Sequence, residues 1–373
     1  MRVESPPEHI YIFDSAKILT GDILLSTAPK SPKSAVIRRQ TKADYSHAAI
    51  CTEPGLFIEA IGLGVRRFAI GRMAVRERRH ACLLRLRADV PNAGVISRLA
   101  GLKAENYLSH GYWLVGALTA LSKKLRSETQ SRVFCSQLVA QAYREAGLAL
   151  IAADPAKTHP GTFVSSKLLM DVTDDVLVIH PADVRWMSWT FLEDHDKRTL
   201  HDQEVAVKQA VHRRVAKAFR AHHLEPPVDF HSAFGALIRI RDRAVASAID
   251  SAFACSLRRE GYLSLPKKAV WDTADSFKLD QYTAEGIRSK TWTPEEKAGI
   301  LLFQKRQCAI ILAATKSRQF ELESFRSAYA STHLETFRLL AEAQQEVCDS
   351  FARLKRVLEG SIRLFEQDLT KSA

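Results

Sequence analysis

Two short stretches, Tyr45-Ser46-His47-Ala48-Ala49-Ile50 and Val133-Phe134-Cys135-Ser136-Gln137-Leu138-Val139, carry the most information in this chain. The first has the small and apolar residues of a buried strand, and the second predicts the start of a helix. A histidine is therefore expected on a strand and a cysteine in the first turn of a helix. An imidazole that holds a thiol as thiolate, and later protonates the leaving group, is sufficient for nucleophilic catalysis.

The hairpin after His47 offers a third functional group. A turn sequence, Thr52-Glu53-Pro54, is followed by a second apolar run, Gly55 to Ala60. A three-residue loop there would pair residue 51 with residue 55 and His47 with Glu59, which places the carboxylate beside the imidazole. Glu59 would then accept the second ring N–H of His47 and stabilise the imidazolium. A slip of one residue would separate the two side chains.

Taken singly, His47 and Cys135 are more typical of structural than of catalytic residues. Cysteine is among the most commonly buried residue types, and Cys135 shares an apolar helical stripe with Leu138 and Val139. In the other direction, the positive end of a helix lowers the pKa of a thiol in its first turn. The residues alone leave both interpretations open.

A family resemblance favours the catalytic interpretation. Six ordered blocks resemble the permuted NlpC-type papain-like proteins of the YiiX group, which are related to lecithin retinol acyltransferase-like proteins. The blocks are Gly21–Ser26, Ile37-Arg38 with Asp44–His47, Phe57–Gly62 with Gly64-Val65, His110–Tyr112, Phe134–Val139 with Tyr143, and Thr158–Pro160 with Ser165-Ser166. His47 precedes Cys135, as a circular permutation of the papain order requires.

The resemblance covers only about residues 15–190, and it implies roles for several residues. Cys135 would be the nucleophile, His47 the general base and acid, and Glu59 the residue that orients His47. Tyr112, Ser46 and Phe134 are the candidate substrate-binding or oxyanion residues. This chain differs from the family in two further respects: many relatives are exported or lipid-anchored whereas no signal peptide is apparent here, and Gln137 stands where several relatives carry an acid.

Length and pattern predict an α+β chain of two domains. The resemblance implies that residues 1–195 form a circularly permuted papain-like domain, an antiparallel sheet plus helices. Strands are predicted at 10–13, 22–25, 46–51, 56–61 and 81–86, and helices at 93–104, 112–124 and 134–146, the last closed by Gly147.

Residues 196–373 are expected to form an all-α domain, a bundle or a coiled-coil-like hairpin. Breaks are predicted at 225–229 and at Leu265-Pro266, and a long helix is predicted to begin at Thr293-Pro294. Apolar residues repeat at three- and four-residue steps over 317–369, which indicates an amphipathic helix or hairpin. That apolar face would pack within its own bundle, or support self-association or a protein partner.

Composition limits the class of protein without naming a partner. The chain is 46% hydrophobic with a formal net charge of +12, which is typical of a globular protein attracted to anionic surfaces. Peripheral membrane contact stays open, and nucleic acid is less favoured. The basic cluster Arg66-Arg67, Arg72, Arg76, Arg78-Arg79 is interpreted either as an exposed loop or edge or as a means of steering an anionic substrate.

The six cysteines are widely spaced and form neither a zinc motif nor a disulfide framework. With no apparent signal peptide or membrane-spanning run, the chain is expected to be cytoplasmic with reduced thiols, or exported by a route that needs no N-terminal signal.

The sequence therefore predicts a thiol hydrolase or acyltransferase that cleaves an amide or ester bond through a thioester, without a metal or organic cofactor. The substrate is expected to be a lipid acyl group or a peptide amide. Two alternatives remain: a non-catalytic binding or scaffold module that uses the helical domain, and a cell-wall peptide amidase delivered without a signal peptide.

Overall fold

The computed structural model describes residues 8–61, 64–108, 111–112, 132–182, 189–194, 200–265 and 292–372. The chain folds as two compact units, residues 1–197 and 198–373. The predicted boundary follows residue 195, two residues before this division. The α+β class is confirmed, because the strands lie in the first unit and long helices make up the second.

The first unit contains twelve described strands and five described helices. The strands are β1 (His9–Phe13), β2 (Ile23–Ser26), β3 (His47–Glu53), β4 (Leu56–Ile61), β5 (Gly64–Ala69), β6 (Met73–Val75), β7 (Ala81–Leu86), β8 (Gly111–Tyr112), β9 (Arg132–Val133), β10 (Leu169–Asp171), β11 (Leu177–Pro181) and β12 (Thr190–Phe191). The helices are α1 (Pro32–Thr41), α2 (Ala93–Glu105), α3 (Cys135–Glu145), α4 (Pro160–Val164) and α5 (Thr173–Val176). All five predicted strands are present, as are two of the three predicted helices.

The remaining predicted helix, 112–124, is not supported at residue 112, which is the part of it that the structure describes. Tyr112 lies in β8, which pairs in parallel with β9. Residues 113–124 lie outside the described ranges.

A six-stranded antiparallel sheet organises the first unit, in the order β10-β7-β2-β3-β4-β5. Strands β3 and β2, which lie in the middle, have apolar side chains on both faces. Ile23, Leu25, Ala48 and Ile50 join the core that contains residues of α2 and α3. Leu24, Ala49 and Cys51 join a second core with residues of β1 and β6. Because side chains alternate between faces, a strand covered on both sides must be apolar throughout.

A second sheet of four strands has the order β11-β1-β6-β12, with β12 parallel to β6 and the other pairs antiparallel. It lies next to the second core, to which Phe13, Met73 and Val75 contribute.

Helix α3 is attached firmly to the sheet region. Tyr143 is fully buried, and its hydroxyl donates to the carbonyl of Gly21, just before β2, at 2.6 Å. Gly147 follows the helix with φ of 92°, the left-handed conformation expected of a glycine that ends a helix. These contacts fix the direction of the helix axis and hence the position of its first residue.

The second unit is all-helical where it is described, with α6 (Leu200–Ala221), α7 (Ser232–Ile238), α8 (Arg243–Arg259), α9 (Pro294–Thr332) and α10 (Glu335–Ser372). The predicted break at 225–229 is confirmed between α6 and α7. The predicted start of α9 is also confirmed: Thr293 and Glu296 form a reciprocal capping box ahead of Pro294. The break predicted at Leu265-Pro266 extends beyond the described residues. None of the helices in the described ranges combines the length and apolarity needed to cross a bilayer.

The apolar repeat over 317–369 proves to be a helical hairpin, α9 and α10. Phe337, Leu340, Leu354, Leu358 and Phe365 are buried in the interior of the unit. Phe320 is largely exposed, with 73% of its surface accessible to solvent. The repeat therefore serves mainly the unit's own core.

A buried carboxylate joins α8 to the start of α10. Asp250 accepts hydrogen bonds from the backbone N–H groups of Glu335 and Thr336, at 2.7 and 2.9 Å. The first backbone N–H groups of a helix have no partner within the helix, and the helix dipole favours an anion beside them. Asp250 thus acts as an N-cap supplied from another helix.

We predict that Asp250→Ala lowers the free energy of unfolding of the helical unit by about 1–2 kcal/mol, because two backbone donors, one of them buried, lose their acceptor. Urea denaturation followed by the helical circular dichroism signal measures the change. Asp349→Ala, on an exposed position of α10, is the matched control and should leave the midpoint nearly unchanged. Equal midpoints for the two variants would contradict the capping role.

Candidate functional site

His47 and Glu59 are brought together by the β3–β4 hairpin, in a register that differs from the prediction. Glu59 pairs with Ala49 and not with His47. A tight turn at Pro54-Gly55 replaces the predicted three-residue loop, and the ladder shifts between Cys51 and Glu53. The resulting shift is two residues, which preserves the face on which each side chain lies. His47 Nε2 and Glu59 Oε2 therefore lie 2.7 Å apart, as diagonal neighbours.

Arg66 is a third member of this network, and the sequence interpretation did not identify it. Its Nε donates to Glu59 Oε1 at 2.6 Å, and the Arg66 residue is only 4% exposed, Glu59 not at all. The two residues are direct cross-strand partners in the β4–β5 hairpin. Extending the hairpin analysis from β4 to β5 would have identified this pair.

The remaining basic cluster is largely engaged with carboxylates. Arg67 pairs with Glu105, Arg76 with Asp194, Arg78 with Asp174 and Arg79 with Glu77. The exposed-loop interpretation is wrong for Arg66, which is buried. The side chain of Arg72 lies outside the described part of the chain.

Cys135 is the first residue of α3, and it is 4% exposed. Phe134 precedes it in an extended conformation as N-cap, without a side-chain hydrogen bond to the helix. Ser136 Oγ donates to the carbonyl of Thr158 at 2.8 Å, which ties this end of the helix to the segment before α4. The thiol is thereby held at the start of a helix whose first N–H groups donate to no capping side chain.

The thiol and the imidazole change each other's pKa. Burial raises the pKa of Cys135, but the charge of His47, its hydrogen bond, and the backbone N–H groups of Ala48 and Ser136 outweigh burial, so the pKa is lowered. Burial lowers the pKa of His47, but the charge of Cys135 and the hydrogen bonds to Cys135 and Glu59 outweigh it and raise the pKa to about 10. These directions favour a thiolate–imidazolium pair. Because Nε2 faces Glu59, Nδ1 is the ring nitrogen left for the thiol.

Two of the three predicted substrate-binding residues lie beside Cys135. Phe134 and Ser46 are buried and line the same pocket as the thiol. The Ser46 hydroxyl also shares a hydrogen bond with Ser34 Oγ of α1, at 2.6 Å, so one of its hydrogen-bonding positions is already occupied. Of Tyr112 the structure describes the backbone alone, in β8.

A narrow pocket adjoins Cys135, and its enclosed part has room for roughly one water-sized group. The segment around Thr158 and α1 form its walls. Its lining residues are Ile37, Gln40, Thr41, Ser46, Phe134, Cys135, Ser136, Thr158, His159 and Pro160. His159 is thus a second imidazole at the site, which the sequence interpretation used only as part of a family block. Among the described residues, no three His, Cys, Asp or Glu side chains cluster so as to hold a metal ion.

The pH dependence of thiol alkylation should report the thiolate directly. We predict that iodoacetamide modifies Cys135 with an inflection below the ordinary thiol pKa of 9.0, because the interactions with His47 stabilise the thiolate. In the His47→Ala variant, burial still raises the pKa of the Cys135 thiol but His47 no longer lowers it. The inflection of the alkylation rate should therefore move above pH 9. Peptide mass spectrometry resolves Cys135 from the exposed Cys255, the internal control. An inflection that is the same in both proteins would refute the pairing.

Arg66 should contribute to stability through its buried ion pair. We predict that Arg66→Met lowers the free energy of unfolding by about 3–5 kcal/mol, because the Glu59 carboxylate stays buried without this partner. Thermal or urea denaturation measures the loss. Arg79→Met removes the same side chain from an ion pair that is largely exposed, and it should have little effect. Similar losses in both variants would show that burial of the pair is irrelevant.

Comparisons with known proteins identify no relative of this chain. No family model matches the chain, no curated protein matches it, and no solved structure matches it. The geometry of the site therefore has to support any functional conclusion.

Proposed function

We propose that this protein is a thiol hydrolase or acyltransferase, with Cys135 as nucleophile, His47 as general base and acid, and Glu59 as the residue that orients His47. The observation that carries the proposal is the network in which His47 Nε2 lies 2.7 Å from Glu59 Oε2 while the same imidazole is close enough to Cys135 to lower the pKa of its thiol. A nucleophile, a base and an orienting group in contact are the parts that acyl transfer through a thiol needs.

The first half of the reaction forms a thioester. His47 takes the proton of Cys135, and the thiolate attacks the carbonyl carbon of an amide or ester. The C–N or C–O bond then breaks, and the imidazolium returns the proton to the leaving amine or alcohol. The backbone N–H groups in the first turn of α3 supply donors for the negative charge that develops on the carbonyl oxygen.

The second half releases the acyl group. His47 removes a proton from water, or from an acceptor amine or alcohol, and the resulting nucleophile attacks the thioester carbonyl. The C–S bond breaks, the thiol is restored, and the product is an acid or a new amide or ester. In both halves Glu59 holds the imidazole in one orientation and stabilises its charged form.

The circularly permuted papain-like arrangement fits the chain order of these groups. His47 and Glu59 come from a hairpin of the sheet, and Cys135 comes later, at the start of a helix packed on that sheet. We further propose that the protein works in a reducing compartment such as the cytoplasm, which is supported by its six free cysteines, Cys135 among them.

Trapping the acyl-enzyme tests the proposal. We predict that p-nitrophenyl acetate acetylates Cys135, seen as the acetyl mass on its peptide after acid quench. His47→Ala should slow acylation by roughly two to four orders of magnitude, because the base is lost. Cys135→Ser should abolish the thioester. His222→Ala, an exposed histidine in the helical unit, is the matched control and should acylate normally.

The same experiment separates hydrolase from acyltransferase and from a binding module. Adding glycinamide as acceptor diverts the acetyl group to N-acetylglycinamide if an acceptor amine competes with water. Acylation spread over several residues at equal rates, unaffected by His47→Ala, would overturn the proposal and favour a binding module.

A further inference from the structure

The second imidazole of the pocket, His159, has one nitrogen buried and without a partner. Nδ1 is shut off from solvent and makes no hydrogen bond. That edge of the ring packs against the backbone of α4: a Cβ placed on Gly161 would lie 3.4 Å from both Nδ1 and Cε1 of His159. The ring as a whole is only partly buried and lines the pocket beside Cys135. The accessible edge is therefore the one that carries Nε2.

This burial selects one protonation state of His159. A proton on Nδ1 would be a buried donor without an acceptor, which costs about 1–3 kcal/mol. Burial also lowers the pKa of His159 below its ordinary value of 6.5. Both effects favour the neutral ring with its proton on Nε2. His159 thus presents one fixed N–H donor toward the pocket.

The other walls of the pocket carry no opposing charge. Among the described lining residues, Cys135 is the only group that becomes charged at neutral pH, and the rest are apolar side chains, hydroxyls, an amide and the neutral His159. A carboxylate or phosphate that entered this pocket would lose its hydration next to the Cys135 thiolate, and none of the described lining side chains is a cation that could compensate. An uncharged group with a hydrogen-bond acceptor fits the lining.

We infer that His159 is a substrate-binding residue whose Nε2–H donates to an acceptor oxygen in an uncharged acyl group next to the bond that Cys135 attacks. This inference rests on the proposed function, since it names the substrate class of the same site. Amide and ester carbonyls are the acceptors of that class, and acyl groups ending in a carboxylate or phosphate are excluded from it.

The inference is tested with acetylglycyl chloromethyl ketone, an uncharged probe with two carbonyl oxygens whose chloride a thiolate displaces. Saturation kinetics at Cys135 separate the binding constant KI from the rate constant of alkylation, kinact. His159→Phe keeps a ring but loses the donor, and KI should rise about fivefold to tenfold, the equivalent of one neutral hydrogen bond. The value of kinact should stay close to that of the wild type.

A pair of amide variants makes the test specific for Nε2. The amide of His159→Gln reaches the position of Nε2, so KI should return to near the wild-type value. The amide of His159→Asn reaches only the position of Nδ1, so KI should remain high. His222→Phe is the control for substitution of an exposed histidine and should change neither constant.

The outcomes distinguish this inference from the proposed function. If alkylation of Cys135 saturates with the same KI in His159→Phe and in the wild type, the role of His159 is overturned and the proposed function is not. Equal KI values for the Gln and Asn variants have the same consequence. Alkylation that does not saturate overturns it as well. If Cys135 reacts no faster than the exposed Cys255 and His47→Ala has no effect on its rate, the proposed function is overturned, together with the inference that rests on it.

Discussion

The Glu59 carboxylate is the constraint on which the geometry of the site depends. One of its oxygens faces His47 Nε2 and the other accepts from Arg66 Nε, and the residue is completely buried. A buried carboxylate is costly unless its oxygens have charged or hydrogen-bonding partners. The sheet must therefore keep β3, β4 and β5 in a register that supplies both partners. The orientation of the imidazole follows from that register.

Helix α3 provides the other half of the site, and it is held independently of Glu59. Tyr143 binds the Gly21 carbonyl, Ser136 binds the Thr158 carbonyl, and Leu138 and Val139 lie in the core on the sheet. These contacts place Cys135 against His47. A thiol and an imidazole held in this way favour charge separation, which lowers the pKa of the thiol and raises that of the imidazole.

Burial has different consequences for the two histidines of the site. His47 is surrounded by a thiol and a carboxylate, and their attraction outweighs desolvation, so its pKa rises to about 10. His159 has no such partner, and desolvation lowers its pKa. One imidazole is thus suited to carry a proton and the other to remain a neutral donor. Residue type alone does not distinguish them, because the difference lies in the neighbours.

Local sequence pattern determined the strands that carry His47 and Glu59 and the helix start at Cys135. It also determined the capping box at Thr293 and the change to an all-helical second half. These features could be predicted because the spacing of apolar residues and helix capping act over only a few residues. Tertiary structure alone decided the two-residue shift of the hairpin, since the tight turn at Pro54-Gly55 and the irregularity before it depend on how the strands pack. It also decided that Arg66 is buried against Glu59 and that His159 lines the pocket of Cys135. The His159 contact joins segments far apart in the chain, and the burial of the Arg66–Glu59 pair depends on what packs over its hairpin, so local sequence carries no record of which groups share one desolvated site.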